Sequence, residues 1–212
     1  MATMAAYTGL PTPNCEVLMT VNRGSVLSVF IAIFCMAALS ACAPKNKIPL
    51  TYQAAGVRSQ ACPLPITVTP LEDRRGRESI GEHGQDIVLF PASSIAQWAS
   101  WALFDELEVA GCTVRYLEDA ESPVPGFHVT GTVERLYVQK KDSAFGYESL
   151  MKLRIIALQN GEEVFNKEYA GSVVKAGMPT ADNYRDLLEQ TLQEILREAV
   201  LDLTAAMSRL EG

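Results

Sequence analysis

The chain has 212 residues, of which 48% are hydrophobic and 20% charged, and its formal net charge is −7. This composition is typical of a globular domain and argues against nucleic acid as a partner. The densest basic cluster, Arg74, Arg75 and Arg77, is surrounded by carboxylates, which indicates a solvated mixed-charge loop rather than a polyanion-binding patch.

The N-terminal residues have the pattern of a secretion signal. An apolar run from Val26 to Leu39 ends in Ser40 and Ala41, and Cys42 follows. A bilayer span takes about 20 apolar residues, so a run this short favours a signal peptide. Small residues before a cysteine resemble a bacterial lipobox, in which the cysteine is acylated and the peptide is cut before it. We therefore expect residues 1–41 to be a signal peptide and Cys42 to carry the lipid.

Residues 42–60 are predicted to be a lipidated N-terminus followed by a tether. They contain Pro44, Pro49 and Gly56 and show no apolar periodicity. Lys45 and Lys47 lie close to the bilayer in this interpretation. They either meet anionic headgroups or belong to a solvated linker.

Residues 61–212 are predicted to form a single α+β periplasmic domain. Leu64, Ile66 and Val68 alternate as a first strand, and the charged residues 72–86 form a long loop. The segment 87–90 adds a brief extended piece. Ser93 or Ser94 caps a helix that Gly111 ends.

Three further strands follow the first helix, over 112–117, 127–133 and 151–157, and Gly131 is a candidate bulge position. The last of these strands enters a hairpin whose turn is Asn160-Gly161.

A two-residue loop in this hairpin would set Ile155 opposite Asn166, which is poor chemistry for a buried face. We therefore predict a three-residue loop that pairs Ile155 with Phe165 and Met151 with Tyr169.

The C-terminal segment has the clearest signal. From Asp182 onward, apolar residues recur on one helical face and acidic residues occupy the other. The resulting order β-α-β-β-β-β-α predicts a two-layer α+β sandwich, in which a mixed, mostly antiparallel sheet carries two helices on one face.

Several short motifs together resemble the YajG-type family of bacterial outer-membrane lipoproteins. They are the lipobox at Cys42, Ile66-Thr67-Val68 leading into Asp73-Arg74, Pro91-Ala92-Ser93-Ser94 before a helix ending in Gly111, Gln159-Asn160-Gly161 and the long terminal helix. The resemblance covers most of residues 60–210. It implies an envelope compartment and a fold, and no enzymatic activity. Ala43, where an aspartate would favour inner-membrane retention, implies passage to the outer membrane.

The sequence shows no catalytic constellation, and we predict no metal and no cofactor. His83 has Glu82 and Asp86 nearby but no second histidine, and His128 falls on the polar face of a strand. Nothing orients Cys112 and His128 as nucleophile and base. Asp73 and Arg74 are a candidate contact for a small anion or a partner carboxylate, with a loop salt bridge as the alternative.

Cys62 and Cys112 are candidates for a disulfide. Each cysteine lies at the start of a strand, and the intervening helix suits a right-handed crossover between parallel neighbours. Adjacent strands lie about 4.8 Å apart, within the Cα separation that a disulfide accepts. The alternative is that both thiols are small buried hydrophobic side chains.

The predicted function is that of a lipid-anchored periplasmic protein on the outer membrane. It contacts the membrane through its N-terminal lipid and binds a protein partner in the cell envelope without catalysis. The alternative is a lipid-handling or transport-accessory lipoprotein with an apolar ligand cavity between sheet and helices.

Overall fold

The computed structural model describes residues 46–56, 62–83, 87–118, 126–141, 146–178 and 180–210, so the predicted signal peptide and Cys42 lie outside the described residues. The elements are β1 (Lys47–Ile48), β2 (Ile66–Val68), β3 (Glu72–Asp73), β4 (Gly81–His83), β5 (Ile87–Pro91), α1 (Ile95–Val109), β6 (Val114–Tyr116), β7 (Phe127–Lys140), β8 (Gly146–Gln159), β9 (Glu162–Ala176) and α2 (Ala181–Leu210).

The long strand β7 lies at the centre of one mixed sheet. Along one edge it pairs antiparallel with β8, which pairs antiparallel with β9. Along its other edge β7 is met in turn by β2, β3 and β4, all parallel to it. Strand β6 lies beyond β2, while β5 and β1 lie beyond β4. The predicted two-layer α+β architecture is therefore present.

Both helices cover the same face of the sheet. Strand β8 alternates between buried residues, among them Met151, Leu153 and Ile155, and half-exposed ones. The stripe predicted on the terminal helix is buried against this face, including Leu192, where each fully buried leucine or isoleucine contributes about 1.5–3 kcal/mol. At Gly171 of β9 an added Cβ would lie 2.8 Å from Cγ1 of Ile195, so α2 rests directly on the strand backbone.

The ends of α1 follow the predicted signals. Of the two candidate caps, Ser94 accepts a hydrogen bond from the amide of Gln97 at 3.3 Å. The helix ends at Val109, and Gly111 follows with a φ of 92°, a left-handed conformation that glycine adopts without strain.

The β8–β9 hairpin corrects the predicted loop. Asn160 and Gly161 have φ values of 54° and 87°, and Gln159 pairs with Glu162, so the loop is a two-residue turn of type I′. A bulge between Ala157 and Leu158, with Val164 of β9 as the extra residue, then shifts the register, so that Ala157 pairs with Phe165.

The predicted hairpin partners are consequently wrong by two residues. Ile155 pairs with Lys167 rather than Phe165, and Met151 pairs with Gly171 rather than Tyr169. The buried face is the one predicted, since Leu153 and its partner Tyr169 both lie in the core.

The predicted charged loop 72–86 contains two short strands. Glu72 and Asp73 pair with Thr132 and Val133 of β7, and Gly81 pairs with Val138. Pairs this short carry no periodicity of their own and form because β7 supplies a long edge with open hydrogen-bonding groups.

Residues 47–55, expected within a tether, are instead packed on the domain. Lys47 and Ile48 pair parallel with β5, and Ile48 is 1% exposed. The indole nitrogen of Trp98 donates to the carbonyl of Thr51 at 2.8 Å. The folded part therefore begins much closer to Cys42 than the sequence pattern indicated.

Candidate functional site

The face of the sheet opposite the helices, here called the open face, carries a square of ion pairs. Lys152 Nζ lies 3.1 Å from Glu134 and 2.8 Å from Glu168. Arg154 lies 3.0 Å from each of the same two carboxylates. Half-buried apolar side chains of β8, among them Ile156, extend this face toward the hairpin.

A bulge in β7 gives this face an unusual pair of cations. The β7–β8 register shifts between Val133 and Arg135, so Glu134 is the extra residue and Arg135 comes directly opposite Lys152. Like charges that are directly opposite destabilise a sheet. Lys152 is compensated by Glu134 and Glu168, whereas Arg135 has no carboxylate partner among the described residues.

A cleft of about 410 Å³ opens beside Arg135. We call it the basic cleft. Its lining is Arg75, Arg77, Glu134, Arg135, Leu136, Tyr137, Gln139 and Lys152. Four of these side chains are cationic and one is anionic, in a chain whose net charge is −7. The cleft therefore concentrates positive charge on an acidic protein.

Arg75 is fixed in the wall of the basic cleft. Its side chain is only 4% exposed, and Nε and Nη2 donate to the two carboxylate oxygens of Asp73 at 2.9 and 3.0 Å. Nη1 donates to the carbonyl of Ser79 at 3.1 Å. Bonds within the described residues thus use three of the five guanidinium N–H groups and fix its plane.

Arg77 and Tyr137 form the rim of the cleft. The Arg77 guanidinium lies 4.9 Å from the centre of the Tyr137 ring, within the range of a cation–π contact. Burial raises the pKa of Tyr137, and a hydrogen bond with Glu82 raises it further. The phenol therefore stays neutral at physiological pH and keeps its O–H group.

A second cleft of about 290 Å³ adjoins the basic cleft across Arg135 and Lys152. Its wall includes Leu150, Ala170 and Ser172, so it is less charged than its neighbour. The open face therefore places an apolar surface directly beside the group of cations.

The predicted pair of Asp73 and Arg74 does not form. Asp73 pairs with Arg75, and Arg74 pairs with Glu72 at 2.6 Å. Extended backbone places residues i and i+2 on the same side, so these partners alternate. The predicted salt bridge between Asp73 and Arg74 is therefore wrong, although each residue forms a local ion pair with another partner. Of the two predicted residues, Asp73 contributes to the basic cleft by orienting Arg75.

The cysteines of the predicted disulfide lie together. Cys62 and Cys112 form a disulfide with their Cα atoms 4.8 Å apart. The strands that follow them, β2 and β6, are parallel neighbours, with Ile66 beside Val114. The parallel pairing of β2 and β6 is the arrangement predicted from the sequence. Because Cys112 is in the disulfide, it has no free thiol to act as a nucleophile.

The histidines occupy separate places. His128 lies within 2.9 Å of the hydroxyl of Thr69, and burial lowers its pKa, so its imidazole is neutral at physiological pH. The side chain of His83 and residues 84–86 lie outside the described residues. Among the residues that the structure describes, no three metal-binding side chains come together.

Two carboxylates hold the N-terminal segment, residues 51–55, against both helices; we call this contact the N-terminal clamp. Glu106 of α1 accepts hydrogen bonds from Tyr52 Oη at 2.6 Å and from the amide of Ala55 at 2.7 Å. Glu189 of α2 accepts from the amide of Gln53 at 2.8 Å. The clamp fixes the direction in which the chain enters the fold.

Sequence reasoning missed the basic cleft. The charge pattern predicts a solvated loop for Arg75 and Arg77, and nothing in the sequence connects them with Arg135 and Lys152. The one local signal was the crowding of three arginines within 74–77. Their neighbours on β7 become visible only when β3 and β4 are paired with that strand.

Comparison with known proteins identifies the fold. Neither protein-family models nor curated proteins match this sequence. Among solved structures, protein XCC0632 from Xanthomonas campestris, of the family DUF330, is 14% identical, with a TM-score of 0.56 over 77% of this chain and 95% of that one. At this identity the likeness shows a shared fold.

Two further structures are more distant. Lipoprotein GNA1162 from Neisseria meningitidis is 12% identical over 68% of this chain and 99% of that one, with a TM-score of 0.36. The PelC dodecamer from Paraburkholderia phytofirmans is 14% identical over 69% and 92%, with a TM-score of 0.40. At these TM-scores we draw no conclusion about this chain from either structure. Its likeness to the YajG-type family remains a resemblance of sequence motifs.

Proposed function

We propose that this protein is a non-enzymatic binding module of the bacterial envelope that uses the open face of its sheet. The observation that carries the proposal is the contrast between the two faces. The helix-covered face is filled, while the open face presents the basic cleft, the ion-pair square and half-buried apolar side chains such as Ile156. A surface of mixed cationic and apolar character is suited to recognising another envelope component.

The location rests on the N-terminal sequence. Cys42 would carry the lipid, and Ala43 after it favours the outer membrane by the lipoprotein resemblance. None of the helices in the described ranges is long and apolar enough to span a bilayer.

The alternative of a carrier with an apolar ligand between sheet and helices has less support. Leu103, Leu153 and Leu192 are fully buried members of one hydrophobic cluster between the sheet and the helices. A small cleft near Tyr147 and Leu187, at the edge of the layer, has a volume of only about 10 Å³. A carried lipid would need some hundreds of Å³.

Site-specific photo-crosslinking in intact host cells tests the proposal. A photoreactive residue at Ile156 on the open face should give one product of defined mass, and the same residue at Arg197 on the outer side of α2 should not. Equal yields from both positions, or a product from Arg197 alone, would contradict the proposed surface. In the Cys42→Ala variant the chain should remain unprocessed or leave the membrane fraction, and the Ile156 product should disappear.

A further inference from the structure

We propose that the basic cleft binds the phosphate of an anionic phospholipid headgroup. This inference deepens the proposed function, on which it rests for the membrane location, and it names a ligand for the open face.

The uncompensated charge beside Lys152 is the first argument. Arg135 is held directly opposite Lys152 by the bulge, and the described residues provide Arg135 with no carboxylate. Two opposed cations cost stability unless an anion lies between them. A bound phosphate would offset that repulsion and could accept hydrogen bonds from both side chains.

The second argument is the supply of oriented donors. Arg77 and Arg135 line the same cleft as the fixed guanidinium of Arg75, which keeps two N–H groups outside the bonds to Asp73 and Ser79. Guanidinium groups match the tetrahedral oxygens of phosphate and can bind two of them at once. Asp73 pairs with Arg75, and Glu134 and Glu168 pair with Lys152. The excess positive charge therefore lies on Arg77 and Arg135, which make no ion pair within the described residues, although Glu82 lies near Tyr137.

The position of the cleft relative to the anchor is the third argument. Glu82 of β4 pairs with Val88 of β5, and the side-chain amide of Asn46 donates to the carbonyl of Val88 at 3.0 Å. Neighbouring strands lie about 4.8 Å apart, so β7 is about 10 Å from β5. The chain from Cys42 to Asn46 can span at most about 14 Å.

A lipid on Cys42 would therefore hold the cleft within reach of headgroups. The less charged cleft at Leu150 and Ala170 lies beside the cations, where the glycerol and acyl parts of a lipid could rest. This neighbouring apolar surface favours a phospholipid over a free inorganic anion.

The test is calorimetric titration of the full chain in a non-ionic detergent with short-chain lipids. Dihexanoyl phosphatidylglycerol should bind saturably and more weakly as salt is raised. Arg135→Gln and Arg77→Gln should each weaken binding about tenfold, the loss expected for one charge-assisted hydrogen bond. Arg197→Gln, at an exposed position on α2, is the matched control and should bind as the unmodified chain does.

Three results would overturn the inference. Equal affinity for dihexanoyl phosphatidylcholine would show partition into the micelle. Equal affinity for inorganic phosphate would show a site for free anions. If neither arginine substitution weakened binding, the lipid would bind outside the basic cleft. Because the short-chain lipid reaches the cleft from solution, the assay does not depend on acylation of Cys42. A negative result here would leave the crosslinking result at Ile156 unaffected, and the two proposals can fail separately.

Discussion

The same strands form both faces of the sheet, but one face is buried under the helices and the other is exposed and charged. On β8, Leu153 and Ile155 point into a layer closed by both helices, while Lys152 and Arg154 point away from it. The covered face is stabilised by the burial of apolar side chains, whose free-energy contribution is large and depends little on where charges lie. The open face is held by exposed ion pairs, each of which contributes little to stability. We therefore expect substitutions on the covered face to change stability and substitutions on the open face to change binding.

The largest expected effect comes from placing a charge in the covered face. Ile195→Asp should reduce the free energy of unfolding by about 4 kcal/mol or more, because an unpaired carboxylate would enter the helix–sheet core. Denaturant unfolding followed by circular dichroism measures the loss. The neighbouring substitution Glu194→Ala alters an exposed side chain and should change stability by less than about 0.5 kcal/mol. Equal losses in the two variants would mean that the buried face is assigned wrongly.

An intermediate effect is expected from the disulfide that ties β2 to β6. The bond joins cysteines 50 residues apart, and the loop-entropy model gives it on the order of 4 kcal/mol, less any native-state strain. Reductant should lower the unfolding midpoint of the unmodified protein and leave a double variant, Cys62→Ser with Cys112→Ser, unchanged.

Thiol labelling gives an independent check on the disulfide. In the unfolded, unreduced mature protein neither Cys62 nor Cys112 should react. Labelling of both cysteines before reduction would show that the bond is absent in solution.

The smallest expected effect lies in the ion-pair square. Hydrogen bonds from Arg154 and Lys152 lower the pKa of Glu134 below its usual 4.5, so the carboxylate stabilises the fold above that pH. The contribution is lost as pH falls through the lowered pKa of the folded state. Glu134→Gln should cost about 0.5 kcal/mol at neutral pH, and the difference from the unmodified protein should shrink as the pH falls below 4.5 through the lowered pKa of the folded state.

Glu162→Gln is the control for this titration. Glu162 lies at the exposed start of β9 and makes no ion pair within the described residues. Its substitution should leave the pH dependence of stability as it is in the unmodified protein. A difference that persists in acid for Glu134→Gln would assign its effect to packing rather than to charge.

The elements that could be predicted are those whose signals are local. The apolar stripe of α2, the cap at Ser94 and the turn at Asn160-Gly161 each depend on residues a few positions apart. The short strands β1, β3 and β4 depend instead on partners far along the chain. Two or three residues are too few to show the alternation of apolar and polar side chains that indicates a strand. The hairpin partners cannot be predicted locally, because the bulge between Ala157 and Leu158 has no sequence signature among the residues around it.

The candidate site was harder to predict than the fold because it combines two distant segments. Arg75 and Arg77 were visible as charges, but only the pairing of β3 and β4 with β7 brings them beside Arg135. The partner of Asp73 is Arg75 because Glu72 and Asp73 form a strand, and extended backbone places residues i and i+2 on the same side. By contrast, Cys62 and Cys112 could be paired because strand order and crossover handedness restrict the choices.

The N-terminal clamp sets an order of events during biogenesis. Thr51 and Gln53 bond to Glu189, which lies 138 and 136 residues further along the chain. These bonds can form only after the last helix has been synthesised and has docked on the sheet. Until then the segment can be held from the α1 side alone, where Tyr52 and Ala55 bond to Glu106. Docking of the C-terminal helix therefore completes the clamp, and the two ends of the chain become fixed in one step.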